Sequence, residues 1–540
     1  MRRAMLRLVC GVIFVISFLS GSRAVAQAGA DQTAGTQVRK FAGRTQLVLV
    51  PVVVTDEHGK HVSGLGRGAF KIEEGKKERE ATIFEEVKTV APETEARAAK
   101  VAGYSNFAVS DVHNWRVSVV VLDLLNTGYM YWPGGKEHLV DFLSKTLANV
   151  LESGEPVAMY ALGTKGLKQL HPFTSDTAVL VEALRHVQAR VGPEKIDEPP
   201  AAPGESAERH KEVVETAQRI SDFFNDRPAV RFNGRDLART TLEAMKQIAD
   251  GYAAIPGRKT LIWASGGLPL PMDDPDRIDK LGLQTGAIYD RAWRALVASE
   301  IAAYPVDLDL VSDRSSSMFR RDSLTTLAQA TGGNACIKKT EMEACMARAL
   351  EDSHAYYLLG YYLPENDQKA GWRKLKVTVE ATGAEVRARN GFYTPGPAVD
   401  NEEARQGDIV DALHSPVNYT GVRMNVREMP VSGGPAGGQR RQEFSVRVLG
   451  SSVTVDAQNG NAMDMTMVAV AFTESGANAG HAELHIGDKV PADKLEELGK
   501  FGVRGTPSLE LGPGKYNIRI AVRENLSGRM GSVAFPLEVQ

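Results

Sequence analysis

A continuous apolar run at residues 117–124, VSVVVLDL, constrains the fold of this chain more than any other feature. An apolar run without polar alternation is typical of a parallel strand that is covered on both faces. Apolar residues then recur at helical spacing from Leu139 to Val150, and strand and helix patterns alternate as far as HAYYLLGYYL at 354–363. This order predicts an α/β fold with a doubly wound, mostly parallel sheet.

All-β segments flank the predicted α/β region, because short alternating runs bounded by Gly and Pro recur on both sides of it. We expect them to form small sandwich units of the immunoglobulin type. The predicted divisions are a disordered linker (27–44), an N-terminal β unit (45–110), the α/β domain (111–395) with a solvated surface insertion (191–233) and a β-hairpin (372–393), a linker with opening loops (396–440), and a C-terminal β-sandwich (441–540).

The first 26 residues have the pattern of a secretory signal peptide. Basic residues precede an apolar stretch from Leu8 to Leu19, and Ala24-Val25-Ala26 offers a small-x-small cleavage site. The apolar stretch is too short to span a bilayer, so we expect cleavage after Ala26, no membrane span afterwards and a periplasmic or secreted protein. An uncleaved anchor is the alternative.

The net charge of -3 and the lack of a long basic run give no support to a nucleic-acid partner.

The cysteine count predicts a disulfide. Of the three cysteines, Cys10 lies inside the predicted signal peptide, which leaves Cys336 and Cys345. In an oxidising compartment two remaining cysteines are expected to pair.

Several segments in order resemble the von Willebrand factor A-related domain family of Acidobacterial secreted proteins. They are VVVTDEHGKHVSGLGRGAFKIEEGK, VVLDLLNT, GRKTLIWASGG, YPVDLDL, LTTLAQATGGNA and HAYYLLGYY, and together they cover roughly residues 45 to 395. The resemblance implies an extracytoplasmic α/β domain that binds proteins. Fold analogy is weak support for a function.

The resemblance also directs attention to the loop after the first strand of the α/β domain, where metal-binding A domains carry Asp-x-Ser-x-Ser. Here Asp123 keeps the carboxylate and Thr127 replaces the last serine, but Leu125 offers no oxygen to a hard cation. A later Thr-Asp-Gly is Ser265-Gly266-Gly267, and Arg235 brings a positive charge near the loop. We therefore expect a degenerate metal-ion-dependent adhesion site with no cofactor and at most weak binding of Mg²⁺ or Ca²⁺, in which Asp123 hydrogen-bonds backbone amides of the turn.

A second stretch, Asp313-Arg314-Ser315-Ser316-Ser317, has the literal metal-loop spacing but follows a late strand. A pattern in the wrong topological place is weak evidence, and a solvated loop with a helix cap explains it better. The alternative metal sites are therefore Asp123 with Thr127, or Asp313 with Ser315 and Ser317.

The candidate binding surface lies at the same loop. Tyr129 and Trp132 follow Asp123, and they offer aromatic anchors to a partner or pack against the N-terminal β unit. We include them in the site with Asp123, Asn126, Thr127, Arg235 and Ser265.

The hypothesis we favour is a non-catalytic protein-interaction or adhesion module that binds a protein or an envelope component. A secreted hydrolase that uses Asp123 with Ser265 or the 313–317 loop is one alternative, and a purely structural envelope component is another. The sequence has no HExxH, GxSxG or phosphate-loop motif, which favours a protein without enzymatic activity. It predicts neither the partner nor the oligomeric state.

Overall fold

The computed structural model describes residues 39–41, 46–89, 103–106, 116–127, 135–151, 156–174, 176–190, 201, 205–225, 234–270, 286–312, 318–364, 367, 371–394, 401–430 and 440–539. The predicted signal peptide and most of the predicted linker 27–44 lie outside these residues.

The strands are β1 (Arg39–Phe41), β2 (Gln46–Thr55), β3 (Phe70–Glu74), β4 (Lys77–Arg79), β5 (Ile83–Lys88), β6 (Tyr104–Ser105), β7 (Ser118–Asp123), β8 (Val157–Gly163), β9 (Gly166–Thr174), β10 (Lys259–Ser265), β11 (Ile301–Asp307), β12 (Ala355–Leu363), β13 (Gly371–Val379), β14 (Glu385–Arg387), β15 (Gly391–Thr394), β16 (Met424–Glu428), β17 (Arg440–Val448), β18 (Thr454–Asp456), β19 (Ala462–Thr473), β20 (Asn478–Lys489), β21 (Val503–Gly505), β22 (Ser508–Leu511), β23 (Gly514–Glu524) and β24 (Arg529–Val539). The helices are α1 (Gly135–Asp141), which continues through a π-helical segment (Phe142–Leu147) into α2 (Ala148–Leu151), α3 (Thr177–Arg190), α4 (Ala207–Asn225), α5 (Gly234–Gly251), α6 (Gly286–Ala298), α7 (Met318–Thr331), α8 (Met342–Glu351), α9 (Glu402–His414) and α10 (Leu495–Phe501).

The middle of the chain forms a five-stranded mixed sheet in the order β11-β10-β7-β8-β9. The first four strands run parallel, and β9 pairs antiparallel with β8. Val120 and Leu122 of β7 enter a core with α1 to α4, whereas Val119 and Val121 enter a second core with α5, α6 and α7. Because β7 is covered on both faces, both sets of alternate residues are apolar.

The predicted doubly wound, mostly parallel α/β fold is nevertheless wrong for this chain. Most of its strands lie in several small antiparallel sheets, and among the described residues parallel strand pairs occur only in the mixed sheet and between β1 and β18. The strand HAYYLLGYYL, assigned above to the parallel sheet, is β12 and pairs antiparallel with β2 and β5. An apolar run records burial but carries no information about the direction of the neighbouring strand, which is why the prediction failed.

Segments on either side of the mixed sheet together build the first sandwich. One of its sheets is β14-β2-β12-β5, and the other is β15-β13-β3-β4. Val50 and Val52 from the first sheet share a core with Ile72 and Leu375 from the second. Residues 45–110 therefore do not form a unit by themselves, since β13, β14 and β15 come from the predicted hairpin region 372–393.

The last part of the chain forms a second sandwich. Its sheets are β21-β17-β16-β6, with β22 on β17, and β1-β18-β19-β23-β24, with β20 on β19. Phe444 and Val446 pack against Ile518 and Ile520 in their shared core. The stretch 396–440, predicted to be a linker, contains α9 and β16, and α9 buries its apolar side against β19 and β23.

Three local features complete the fold. Helix α4 of the predicted solvated insertion packs one face, with Val213, Ala217 and Ile220, into the core beside α3. Cys336 and Cys345 form the predicted disulfide. Among the described residues, no helix is both long and apolar enough to cross a membrane.

Candidate functional site

Three neighbouring parallel strands end side by side at polar residues. In the register of the sheet, Ser265 of β10 lies between Asp123 of β7 and Asp307 of β11. All three side chains are buried. The carboxyl edge of a parallel sheet is where open α/β sheets bind ligands, so this edge, which contains the predicted Asp123 and Ser265, is the first place to examine for a functional site.

The Asp123 carboxylate is fully enclosed by hydrogen-bond donors of the chain itself. Asn126 donates its backbone N–H at 3.0 Å to Oδ1 and its side-chain amide at 2.8 Å to Oδ2. Oδ2 also accepts the indole N–H of Trp263 at 3.0 Å and the hydroxyl of Ser265 at 2.8 Å. Asp123 is 0% exposed, and its carboxylate makes its hydrogen bonds inside the protein, as is expected of a buried polar group that stabilises the fold.

Burial raises the pKa of Asp123, because the charged form loses its hydration. Hydrogen bonds from Asn126, Ser265 and Trp263 act in the opposite direction, since each donor stabilises the ionised carboxylate, but burial is the larger effect. A raised pKa makes this carboxylate a poorer ligand for a cation than an exposed aspartate, because binding a metal requires the ionised form.

The turn after β7 is locked by its own polar side chains. The amide of Asn126 also donates to the hydroxyl of Thr241 in α5 at 2.9 Å. Thr127 donates its hydroxyl to the backbone carbonyl of Asp123 at 2.5 Å and accepts the N–H of Gly266 at 3.0 Å. Asn126 and Thr127 thus join β7 to α5 and β10, and both are buried.

Gly266 is the position at which the resemblance predicts the acidic residue of a metal site. A Cβ atom there would lie 2.7 Å from Oδ1 of Asp309 and 3.1 Å from the carbonyl oxygen of Asn126. A side chain here would require the Asp309 carboxylate to shift and the backbone around Asn126 to give way by a few tenths of an ångström, so the strand end is closely packed at Gly266.

Arg235, another predicted site residue, is not brought to the Asp123 carboxylate. Arg235 is exposed at the start of α5, and none of the donors to the buried Asp123 carboxylate comes from it. Tyr129 and Trp132 lie outside the described residues, as do Asp313, Ser315 and Ser317. Among the described residues, no group of three His, Cys, Asp or Glu side chains is placed to hold a metal ion.

Several polar residues at this edge were not expected from the sequence. Trp263 and Thr241 complete the surroundings of Asp123, and Asp307 accepts hydrogen bonds from the N–H of Asp309 at 3.0 Å and from Arg321 at 3.3 Å. The two-residue alternation of β10 places Trp263 on the same face as Ser265, and this was the available signal. No comparable signal links Thr241, in a helix more than a hundred residues away, to Asn126.

Comparisons with known proteins do not identify the chain. No family model and no curated protein matches it. Of the solved structures that align, OgpA from Akkermansia muciniphila is 9% identical over 82% of this chain and 97% of that chain, with a TM-score of 0.12. Part of α2-macroglobulin from Escherichia coli, from domain MG7 to the C-terminus, is 9% identical over 92% of this chain and 82% of that chain, with a TM-score of 0.12. Scores this low carry no argument, and the resemblance to the von Willebrand A-related family stays a prediction.

Proposed function

We propose that the protein is a non-catalytic, extracytoplasmic interaction module that binds a protein or envelope component without a metal ion. The observation that carries this proposal is the buried Asp123 carboxylate, whose hydrogen bonds come entirely from Asn126, Trp263 and Ser265. The carboxylate that a metal-dependent adhesion site would present to solvent here holds the turn and the strand ends together. That arrangement suits a rigid platform for recognition at the edge of the sheet.

The same observation weighs against a hydrolase that uses Asp123 and Ser265. Both side chains have 0% exposure, and the Ser265 hydroxyl also contacts the carbonyl oxygen of Gly267 at 3.0 Å. A nucleophile must lie within reach of the substrate, and these two groups are enclosed by packed residues. The alternative function is that of a purely structural envelope component. It differs from the proposed function only because such a component binds no specific partner.

A binding experiment separates these functions. The full chain is immobilised and exposed to envelope extract with and without EDTA, and the captured protein is then purified and titrated against each variant. Arg235→Glu reverses an exposed charge beside the carboxyl edge, and Arg67→Glu is the matched control because Arg67 is exposed on the first sandwich. We expect a saturable partner that is insensitive to EDTA, weakened by Arg235→Glu and unaffected by Arg67→Glu.

Three results would contradict the proposal. The absence of any saturable partner would favour a structural component. Ester or peptide hydrolysis that disappears in Ser265→Ala would establish a hydrolase. Calorimetric titration with Mg²⁺, Mn²⁺ and Ca²⁺ tests the metal directly, since micromolar binding by the wild type that is lost in Asp123→Asn would mean that the adhesion site is intact.

A further inference from the structure

The 12-residue strand β20 lies at one edge of the larger sheet of the second sandwich. It pairs antiparallel with β19 over nearly its whole length, and among the described residues no strand pairs with its other side. A strand that is paired on one side only presents its remaining backbone N–H and C=O groups to a further strand. The central residues 481–487 of β20 therefore form an open edge of the sheet.

The opposite edge of the same sheet is protected. In the first half of β24, Met530 accepts the backbone N–H of Val422. Ser532, two residues further on, donates its own N–H to the carbonyl oxygen of Tyr419. In the second half of β24, Pro536 removes a backbone donor, which is a common device at exposed edges. Strand β20 contains no proline, and no loop of the described residues is bonded along it in this way.

The side chains of β20 alternate between two surfaces. Ala482, Leu484 and Ile486 pack against the core of the second sandwich but are only partly buried. Glu483 and His485 are exposed on the outer face. A further strand beside β20 would cover the apolar side chains on one face and would place its own polar side chains next to Glu483 and His485 on the other.

The order of these residues makes β20 complementary to a second copy of itself. When two copies run antiparallel and the pair is centred on Leu484, the two Leu484 side chains lie opposite each other, and Ala482 lies opposite Ile486 of the second copy. In the same register Glu483 lies opposite His485 of the second copy. Apolar residues then meet on the inner face, and a carboxylate meets an imidazole on the outer face, as favourable cross-strand pairs require.

The neighbouring symmetric registers are less favourable. A pair centred on Glu483 would place two carboxylates directly opposite each other, which is destabilising. A pair centred on His485 would place the apolar Ala482 opposite Asp488 of the second copy, and the carboxylate would lose hydration beside the apolar face. The side chains therefore select the register centred on Leu484.

His485 can act as the donor in this pairing. Its Nδ1 lies 3.7 Å from Oδ1 of Asp464 on the neighbouring strand β19, which leaves Nε2 for an acceptor on another molecule. An imidazole N–H can donate to a carboxylate in the neutral and in the charged form of the ring, so Glu483 of the second copy is a suitable acceptor in both.

We propose that two copies of the protein associate through β20 and join their sheets into one continuous antiparallel sheet. The two-fold axis passes through the pair of Leu484 residues, so the contact between Glu483 and His485 occurs twice. Backbone hydrogen bonds between the two edges provide affinity, and the side-chain pairs specify the register. This association involves the second sandwich and does not depend on what the carboxyl edge of the mixed sheet binds.

Sedimentation equilibrium of the full chain over a range of concentrations is the test, and we expect a reversible equilibrium between monomer and dimer. Glu483→Lys places a lysine opposite His485, and His485→Glu places two carboxylates opposite each other. Each single variant should weaken the dimer by roughly tenfold or more, because the altered contact occurs twice. The double variant restores opposite charges, and its dissociation constant should lie within about threefold of the wild-type value.

Glu538→Lys is the matched control, because Glu538 is exposed on β24 of the same sheet, and it should leave the equilibrium unchanged. Hydrogen exchange locates the contact, since the backbone amides of residues 481–487 should exchange more slowly above the dissociation constant than below it. This readout uses the wild type and does not depend on the folding of any variant.

Three outcomes would overturn the proposal. The first is a wild type that stays monomeric at every concentration. The second is protection that depends on concentration elsewhere in the chain but not in β20. The third is a double variant that folds and associates as weakly as the single variants.

Discussion

Buried charged side chains at the two edges of the mixed sheet have opposite surroundings. At the carboxyl edge, Asp123 is buried with its oxygens occupied by donors from the same chain. At the amino edge, Arg258 and Arg389 are buried with Nε groups that lack acceptors among the described residues. The difference teaches that burial of a charge does not by itself mark a ligand site. The hydrogen-bond partners decide the effect, because a buried charge with internal partners stabilises the fold, whereas a buried donor without a partner costs free energy.

The largest expected effect on stability comes from removing the Asp123 carboxylate at the carboxyl edge. Asp123→Ala leaves the donors of Asn126, Trp263 and Ser265 buried without an acceptor, which should lower the free energy of unfolding by about 3 kcal/mol or more. Guanidinium chloride denaturation measures this change. Asp322→Ala is the control, since Asp322 is exposed on α7 and should change stability by less than about 0.5 kcal/mol. Equal stability of the two variants would remove the structural role assigned to Asp123.

The disulfide should have the next largest effect on the same edge. Cys336 donates its backbone N–H to Pro305 and accepts that of Asp307, so the bond to Cys345 holds a segment beside the end of β11. Replacing both cysteines by serine should cost about 2–3 kcal/mol, as closure of a short loop does. Thiol titration of the non-reduced protein should find neither cysteine free, and two titratable thiols would contradict the pairing.

The pH dependence of stability tests the state of Asp123. Burial raises its pKa above the ordinary value of 3.8, so the folded protein holds this proton over a pH window that begins near 3.8 and extends upward. Folding takes up a proton within that window, and the free energy of unfolding therefore falls as the pH rises, by at most about 1.4 kcal/mol per pH unit. We expect the stability of the wild type relative to Asp123→Asn to be greater at pH 4 than at pH 8. The opposite trend would mean that the hydrogen bonds outweigh burial.

The smallest change is expected at the amino edge. Arg389→Met removes a charge that has no ion-pair partner among the described residues, so the stability should stay within about 1 kcal/mol of the wild type or increase. Arg387→Met is the comparison on the same segment, because Arg387 pairs with the buried Asp352 at 2.6 Å and its loss should cost about 3 kcal/mol. A large loss in Arg389→Met would make Arg389 a structural residue like Asp123.

Part of the candidate site was predictable from local sequence. The run ending at Asp123 predicted a strand with both faces buried, and the structure confirms it. The degenerate metal loop, expected because neither Leu125 nor Gly266 provides a side-chain oxygen, stays a prediction. The surroundings of Asp123 were not predictable in the same way. Trp263 and Thr241 approach it from a strand and a helix far along the chain, and Arg235, which the sequence placed beside it, is exposed.

The sequence by itself determined most of the strands and helices around the mixed sheet, though not α9 or β16, and which two cysteines pair, because periodicity and residue counts are local properties. The tertiary structure alone decided that β12 joins β2 and β5 and that Arg389 of the first sandwich lies close to Arg258, which directly precedes β10. Apart from proline, every residue type offers the same backbone hydrogen-bonding groups, so a strand pattern does not specify its partner. That choice depends on how all the apolar faces are buried together.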